Sequence, residues 1–207
     1  TEVSIDQSRS NVLRNIYTQP EQFTIAGFAQ FRRSISNNFM FDLGLRYDNR
    51  EVTGGKGYSV KSFQAFSPKL SLFHKLSSRS TSYISFNQGF RAPSISELFL
   101  EYESSYGLIL LGNPSLKAES LINIEAGIKH QREENFSFFS NVFLNRYTDM
   151  IDFIYTIPVR SINREAVNGL GFEFGSNINV DQTGSNINFT YSYLDMENIN
   201  SVVPLLY

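Results

Sequence analysis

The sequence predicts an all-β chain: an antiparallel up-and-down meander of about eight long strands, forming part of a transmembrane β-barrel wall. Three observations carry this reading. Apolar and polar residues alternate with period two along most of the chain, and helical periodicity is nearly absent. Connections alternate between short polar turns and long segments. The composition joins 19 Phe and 11 Tyr to a mean hydropathy of −0.23, so many rings leave water while much polar surface stays wet.

The strands follow in order at about 22–35, 38–52, 60–77, 80–91, 119–131, 136–150, 163–180 and 185–196. In the second, Phe39, Phe41, Leu43, Leu45 and Tyr47 take one face, and Asp42, Gly44, Arg46 and Asp48 take the other. The third sets Phe66, Leu70, Leu72 and Leu76 against Ser67, Lys69, Ser71 and Lys75. The fifth sets Ile122, Ile124, Ala126 and Ile128 against Asn123, Glu125, Gly127 and Lys129. Leu170, Phe172 and Phe174 oppose Gly171 and Glu173 in the seventh. A face carrying Asp, Glu, Lys and Arg is not a dry interior, so it is read as a solvated lumen whose charges pair with one another. Short turns fall at Asn37-Asn38, Ser77-Ser78-Arg79, Glu133-Glu134-Asn135 and Asp181-Gln182-Thr183-Gly184. Longer connections are expected at about 50–64, 91–119, 148–164 and from 195 onward. A soluble β-sandwich would use shorter strands and more even loops.

Composition also excludes function classes. A net charge of −2 from 18 basic and 20 acidic residues gives no basic footprint for nucleic acid. With no cysteine and only His74 and His130, neither a cysteine-ligated zinc site nor a histidine-rich metal site is available. Both histidines share the parity of apolar neighbours near short turns, and they are read as rim residues. No apolar run approaches the roughly 18 residues of a membrane-spanning helix, which leaves strand-borne spanning untouched. The glycine-rich Thr53-Gly54-Gly55-Lys56-Gly57 lacks the spacing of a phosphate loop, and no Ser-His-Asp arrangement can be argued, so no enzyme and no cofactor are expected.

One block carries more information than the rest. Gly89-Phe90-Arg91-Ala92-Pro93 closes a strand, and Gly112-Asn113-Pro114-Ser115-Leu116 precedes the next, which bears Glu119 and Glu125. Pro93 removes a ladder donor and holds Ala92 extended; Pro114 marks the return. Together with Ile25–Phe31, Leu43–Asp48, Phe66–Leu72, Val142–Asp152 and Asn168–Phe174 in order, this block resembles the barrel of TonB-dependent outer-membrane receptors from about residue 22 onward. Residues 1–21 are read as an extracellular loop or strand remnant, and 22–207 as a partial receptor barrel. The resemblance implies a bacterial outer-membrane location, a barrel of about 22 strands filled by an N-terminal plug, and energy relayed by the TonB complex. Neither a plug nor an energy-coupling box is visible in these residues, and Val202–Tyr207 looks like the approach to a later strand, so an internal stretch of barrel wall is expected.

The resemblance makes Phe90, Arg91, Ala92, Pro93, Asn113, Pro114, Leu116, Glu119 and Glu125 structural markers of the two boxes and of the glutamate-bearing strand that follows them. Arg91, Glu101, Tyr102, Glu103 and Tyr106 are the candidate ligand contacts, because tyrosine rings stack on a ligand while carboxylates bind its polar or cationic groups. The simpler reading makes the same residues a solvated loop. Haem receptors of the family resemble one another in a histidine between the two boxes; none lies between Arg91 and Asn113. The expected activity is active transport of a scarce nutrient such as a ferric siderophore or cobalamin-like ligand, with outer-membrane lipid, the ligand and the TonB complex as partners. The alternative is a non-transporting adhesion or binding barrel.

Overall fold

The structure, a computed structural model, describes residues 20–54, 57–104, 106–132, 135–180 and 185–199. In chain order it forms β1 (Glu21–Ser34), β2 (Phe39–Thr53), β3 (Lys61–Lys75), β4 (Ser80–Arg91), α1 (Ile95–Phe99), β5 (Glu101–Glu103), β6 (Ile109–Leu111), β7 (Glu119–Arg132), β8 (Phe136–Ile154), β9 (Val159–Val180) and β10 (Ser185–Asn198). The eight long strands pair antiparallel with their successors, and β7 follows β4 in the sheet. The short turns use local hydroxyl chemistry. Ser36 Oγ accepts the amides of Asn38 and Phe39, and Ser77 Oγ accepts that of Arg79, so each serine supports its own reversal.

Two expectations are corrected. Residues 148–164 are not a long connection, because β8 and β9 stay in register from Met150↔Arg164 to Ile154↔Arg160 and leave only 155–158 between them. The 91–119 segment is not an open loop either; it holds a helix and a small hairpin whose β6 lies parallel to β9 at Leu110↔Val159. The expected remnant at 1–21 falls almost wholly outside the described residues.

On the outer face, one rung of the ladder runs Phe31, Leu43, Leu70, Phe86, Ile124, Leu144, Leu170 and Asp195. Leu43, Leu70, Ile124, Leu144 and Leu170 are between 41% and 57% exposed, which suits lipid and not water. The aspartate ending this rung is explained by tilt. The apolar stretch of β1, Phe23 to Phe31, centres on Gly27, whose rung continues to Tyr47. That of β10, Ile187 to Tyr193, centres near Tyr191, whose rung leads back through Phe174, Ser140, Ile128, Ser82 and His74 to Phe39. Tyr47 and Phe39 are 47 − 39 = 8 residues apart on β2, so the band slides by that much over seven strand steps. At about 3.3 Å per residue and 4.8 Å between strands, the slide corresponds to a tilt of roughly 40°. Asp195 thereby lies past the edge of the apolar band on its own strand.

The inner face is polar and extensively hydrogen-bonded within itself. Asp42, 1% exposed, accepts from Arg32 at 2.7 Å and from Gln30 at 2.8 and 2.9 Å, while Arg46 pairs with Asp48 at 2.7 Å. Asn87 donates to Asn123 at 3.3 Å and Asn123 to Asn145 at 2.9 Å; Tyr83 and Asn141 both donate to Glu125. Tyr83, Phe143 and Phe139 lie over Gly127, Gly171 and Gly175, their own rung partners. A Cβ at Gly127 would come within 2.8 Å of the Tyr83 ring, so those rings fill the space the glycines leave. The buried apolar cluster lies elsewhere, at the long-connection end: Val52, Leu98, Phe99, Leu116 and Ile151, flanked by Tyr58, Phe63 and Ile95.

Candidate functional site

The segment between β4 and β7 is built by successive local instructions. Pro93 stops β4, and Ser94 then caps α1: its Oγ accepts the Glu97 amide at 3.2 Å while a Glu97 carboxylate oxygen accepts the Ser94 amide at 2.7 Å. The helix turns Leu98 and Phe99 inward, where they meet Val52 from β2 and Ile151 from β8. Two glycines permit this approach. A Cβ at Gly112 would stand 2.6 Å from the Leu98 carbonyl, and one at Gly54 would stand 2.8 Å from the Phe99 ring. Because Val52 and Ile151 have inner-face parity, the segment packs on the lumen side of the sheet.

Arg91 and Glu119 are rung partners at the point where β4 and β7 diverge. Arg91 Nε and Nη2 contact the Glu119 carboxylate at 3.1 and 3.2 Å, and Nη1 reaches both Glu97 oxygens at 3.0 and 3.1 Å. Glu119 Oε2 also accepts the Ile151 amide at 2.9 Å, tying the same group to β8. Burial by itself would raise the Glu97 carboxyl, but the Ser94 amide, Arg91 and the Ser94 hydroxyl outweigh it and hold Glu97 below the ordinary glutamate range. The second box is fastened in parallel. Asn113 donates to the Ser161 carbonyl at 3.0 Å and accepts the Ser115 amide at 3.0 Å. Asn163 accepts the Lys117 amide at 2.9 Å and donates to the Lys117 carbonyl at 3.1 Å and the Asp149 carbonyl at 2.6 Å.

Of the residues singled out in the sequence, Arg91, Asn113 and Glu119 join in this fastening, while Ala92, Pro93 and Leu116 are buried beside it. Phe90 takes outer-face parity opposite Ser120, and Glu125 sits farther down β7 in the Tyr83 network. Glu101 is exposed and accepts from the Tyr58 hydroxyl at 3.2 Å; burial first, then the Glu101 charge and hydrogen bond, raise the Tyr58 phenol above its ordinary range. Tyr102 and Glu103 are half-buried opposite Leu110 and Ile109. Tyr106 is 98% exposed beside Gly107, whose φ of +83° closes the tip. A cleft of about 500 Å³ lies between Tyr58, Glu101, Asn113, Pro114 and Arg160. Among the described residues, no three acids or histidines converge as a metal set. Sequence reasoning missed Ser94, Tyr58, Ser161 and Asn163. The Ser94-x-x-Glu97 spacing was a readable capping signal; Ser161 and Asn163 contribute through strands distant in sequence, and Tyr58 from a connection that meets Glu101 and Phe99.

A tilted sheet with an apolar outer band, a hydrogen-bonded polar lumen and a structured rim defines the wall of an outer-membrane β-barrel. The described family "TonB dependent receptor-like, beta-barrel" matches residues 3–204, and the chain belongs to it. It resides in the outer membrane. Over 132 residues it is 27% identical to a ferric enterobactin receptor of Pseudomonas aeruginosa, covering 58% of this chain and 16% of that protein. The ferrienterobactin receptor of Escherichia coli strain K12 gives 27% identity over 130 residues with the same coverage. The chain therefore spans about a sixth of these relatives. In fold it is similar to a Serratia marcescens hemophore receptor, HasR, with a TM-score of 0.75 at 14% identity over 84% of this chain and 34% of that one. The copper transporter OprC gives 0.70 at 15% identity, over 88% and 30%.

Proposed function

We propose that this chain is a wall segment of a receptor that imports a scarce, chelated nutrient, a ferric siderophore or a cobalamin-like ligand, with energy from the TonB complex. The observation that carries the reading is family membership joined to a rim that presents Glu101, Tyr102, Glu103 and Tyr106 on a fastened support. Two relatives at 27% identity are named for ferric enterobactin, which makes an iron chelate the first ligand to try. Tyrosine supplies broad contact area at low entropy cost, and Glu101 and Glu103 add hydrogen-bond acceptors. Arg91 is a weaker candidate contact, since Glu97 and Glu119 already engage its donors.

The test uses the complete receptor in a host stripped of its own ferric-siderophore and cobalamin receptors. Uptake of radiolabelled ferric enterobactin or cobalamin that disappears when TonB is inactivated supports the proposal. Binding of either ligand without energy-dependent uptake points instead to a non-transporting binding barrel. No binding of either removes the chelate assignment.

A further inference from the structure

Four contacts join Arg91 to its two carboxylates at the place where the rim segment leaves and rejoins the wall. Arg91 and Glu119 belong to the wall ladder, whereas Glu97 belongs to α1. The guanidinium is therefore the bridge between the two parts. Glu97 is doubly used, since the carboxylate that caps α1 also receives Arg91, so helix and bridge support each other. Arginine suits this position because its planar fork serves two carboxylates at once, which a lysine ammonium does not do with the same geometry. Removing Arg91 does more than subtract contacts. It leaves Glu97 and Glu119 facing each other with no intervening cation.

We propose that Arg91 is a charge latch: through Glu97 and Glu119 it positions the 92–118 segment against the inner wall before any ligand is present, and its loss releases that segment while the wall remains paired. The inference goes beyond the transport reading and does not depend on it, because the latch acts in the empty receptor. Two features make release local. Among the described residues, the side-chain hydrogen bonds of Asn113 to Ser161 and Asn163 to Lys117 lie on the β9 side, so near β4 the charge contacts of Arg91 act beside the packing of Leu98 and Phe99 on Val52 and Ile151. The wall ladder continues on both sides of Arg91 by backbone pairing that does not use its side chain.

The experiment uses the complete receptor in detergent or vesicles without ligand, with spin labels at Tyr106→Cys and at Leu144→Cys on the outer wall. Amide exchange is followed at Leu98, Leu100 and Asn113 in the rim and at residues 142–146 in β8. Arg91→Gln should broaden the inter-label distances and speed rim exchange roughly ten- to hundredfold, the range expected for lost hydrogen bonds to charged groups, with β8 exchange unchanged. Adding Glu97→Gln and Glu119→Gln to Arg91→Gln should narrow the distances again, because the stranded charges are gone and glutamine still serves the capping box. Arg91→Lys should fall between wild type and Arg91→Gln. The wild type should also broaden on acidification through the lowered Glu97 range, whereas Arg91→Gln should not broaden further, because protonation there removes the stranded charges. Narrow distances in Arg91→Gln would overturn the latch. So would equal acceleration in β8 and the rim, which would make Arg91 a general fold residue, and so would a neutral triple variant as loose as Arg91→Gln.

Discussion

The wall and the rim of this chain put the same side chains to opposite uses. In the wall, Leu43, Leu70, Leu144 and Leu170 point outward and are held by no protein core; the strands cohere through the backbone ladder and a hydrogen-bonded inner face. In the rim, Leu98, Phe99 and Leu116 turn inward and make a compact cluster with Val52 and Ile151, as in a water-soluble domain. The difference teaches where each part meets its solvent. Lipid is the apolar phase for the wall, so leucine there needs no partner, whereas the rim stands in water and must bury its leucines against itself.

The largest expected effect breaks this comparison on the rim side. Leu98 is fully buried, and Leu98→Ala removes most of a side chain from the middle of the cluster. Local rim stability should fall by about 2–5 kcal/mol. Amide exchange should quicken across 95–116 while β7 and β8 keep their protection. Loss of wall protection to the same degree would show that rim and wall are one cooperative unit.

The matching change in the wall has the opposite chemical logic. Leu144→Ala should cost far less than Leu98→Ala, because lipid fills the space, whereas Leu144→Arg near the bilayer middle should cost about 2–4 kcal/mol. Unfolding of the complete receptor in vesicles measures both. Should alanine at 144 prove as costly as alanine at 98, the outward residues would be packing against protein.

Acid sharpens the contrast further. Glu97 is held below its ordinary value of 4.5, so the unfolded rim binds a proton more readily than the folded one. Its contribution is therefore fully present above that ordinary value and is lost as the pH falls through the lowered one. Rim exchange should quicken only in that acid window, and Glu97→Gln should abolish the step. A step of undiminished size in Glu97→Gln would assign the titration to another carboxylate.

These effects also separate what could be read in the chain from what could not. The wall was legible because period two at 39–47 and 122–129 is a purely local pattern, and the short turns at 77–79 and 133–135 are local chemistry as well. The ends of β8 and β9 were not, because Asp149, Asp152 and Arg160 read as loop residues, and only the assembled strands bring Asp152 to Arg164 at 2.6 Å. The rim was partly legible. Pro93 and Pro114 announced where strands stop, but Leu98 meeting Val52 and Ile151, or Asn163 reaching Lys117, requires the sheet to have assembled first. Arg91 was the ambiguous case, because an arginine at a rim reads equally as ligand contact and as bridge until Glu97 and Glu119 are seen on either side.

The smallest expected effect concerns side chains that the rim leaves exposed, Glu101 and Tyr106, together with the half-buried Tyr102. Replacing Glu101, Tyr102 and Tyr106 together by alanine removes no member of the buried cluster and none of the Arg91 contacts. The Glu101 carboxylate loses only its contact with the partly exposed Tyr58 hydroxyl, and Tyr106 has almost no covered surface to lose. Each change should therefore stay within about 0.5 kcal/mol of neutral, and rim exchange should match the wild type. In cells matched for receptor abundance, uptake of ferric enterobactin should nevertheless fall if these three side chains form the contact surface, because lost ring area and acceptors act on binding and not on folding. Unchanged uptake with an intact rim would leave the three as scaffold and move the contact to other loops. Reduced uptake with a loosened rim would instead show that the hairpin of β5 and β6 is part of the folded unit, erasing the distinction between support and presented surface.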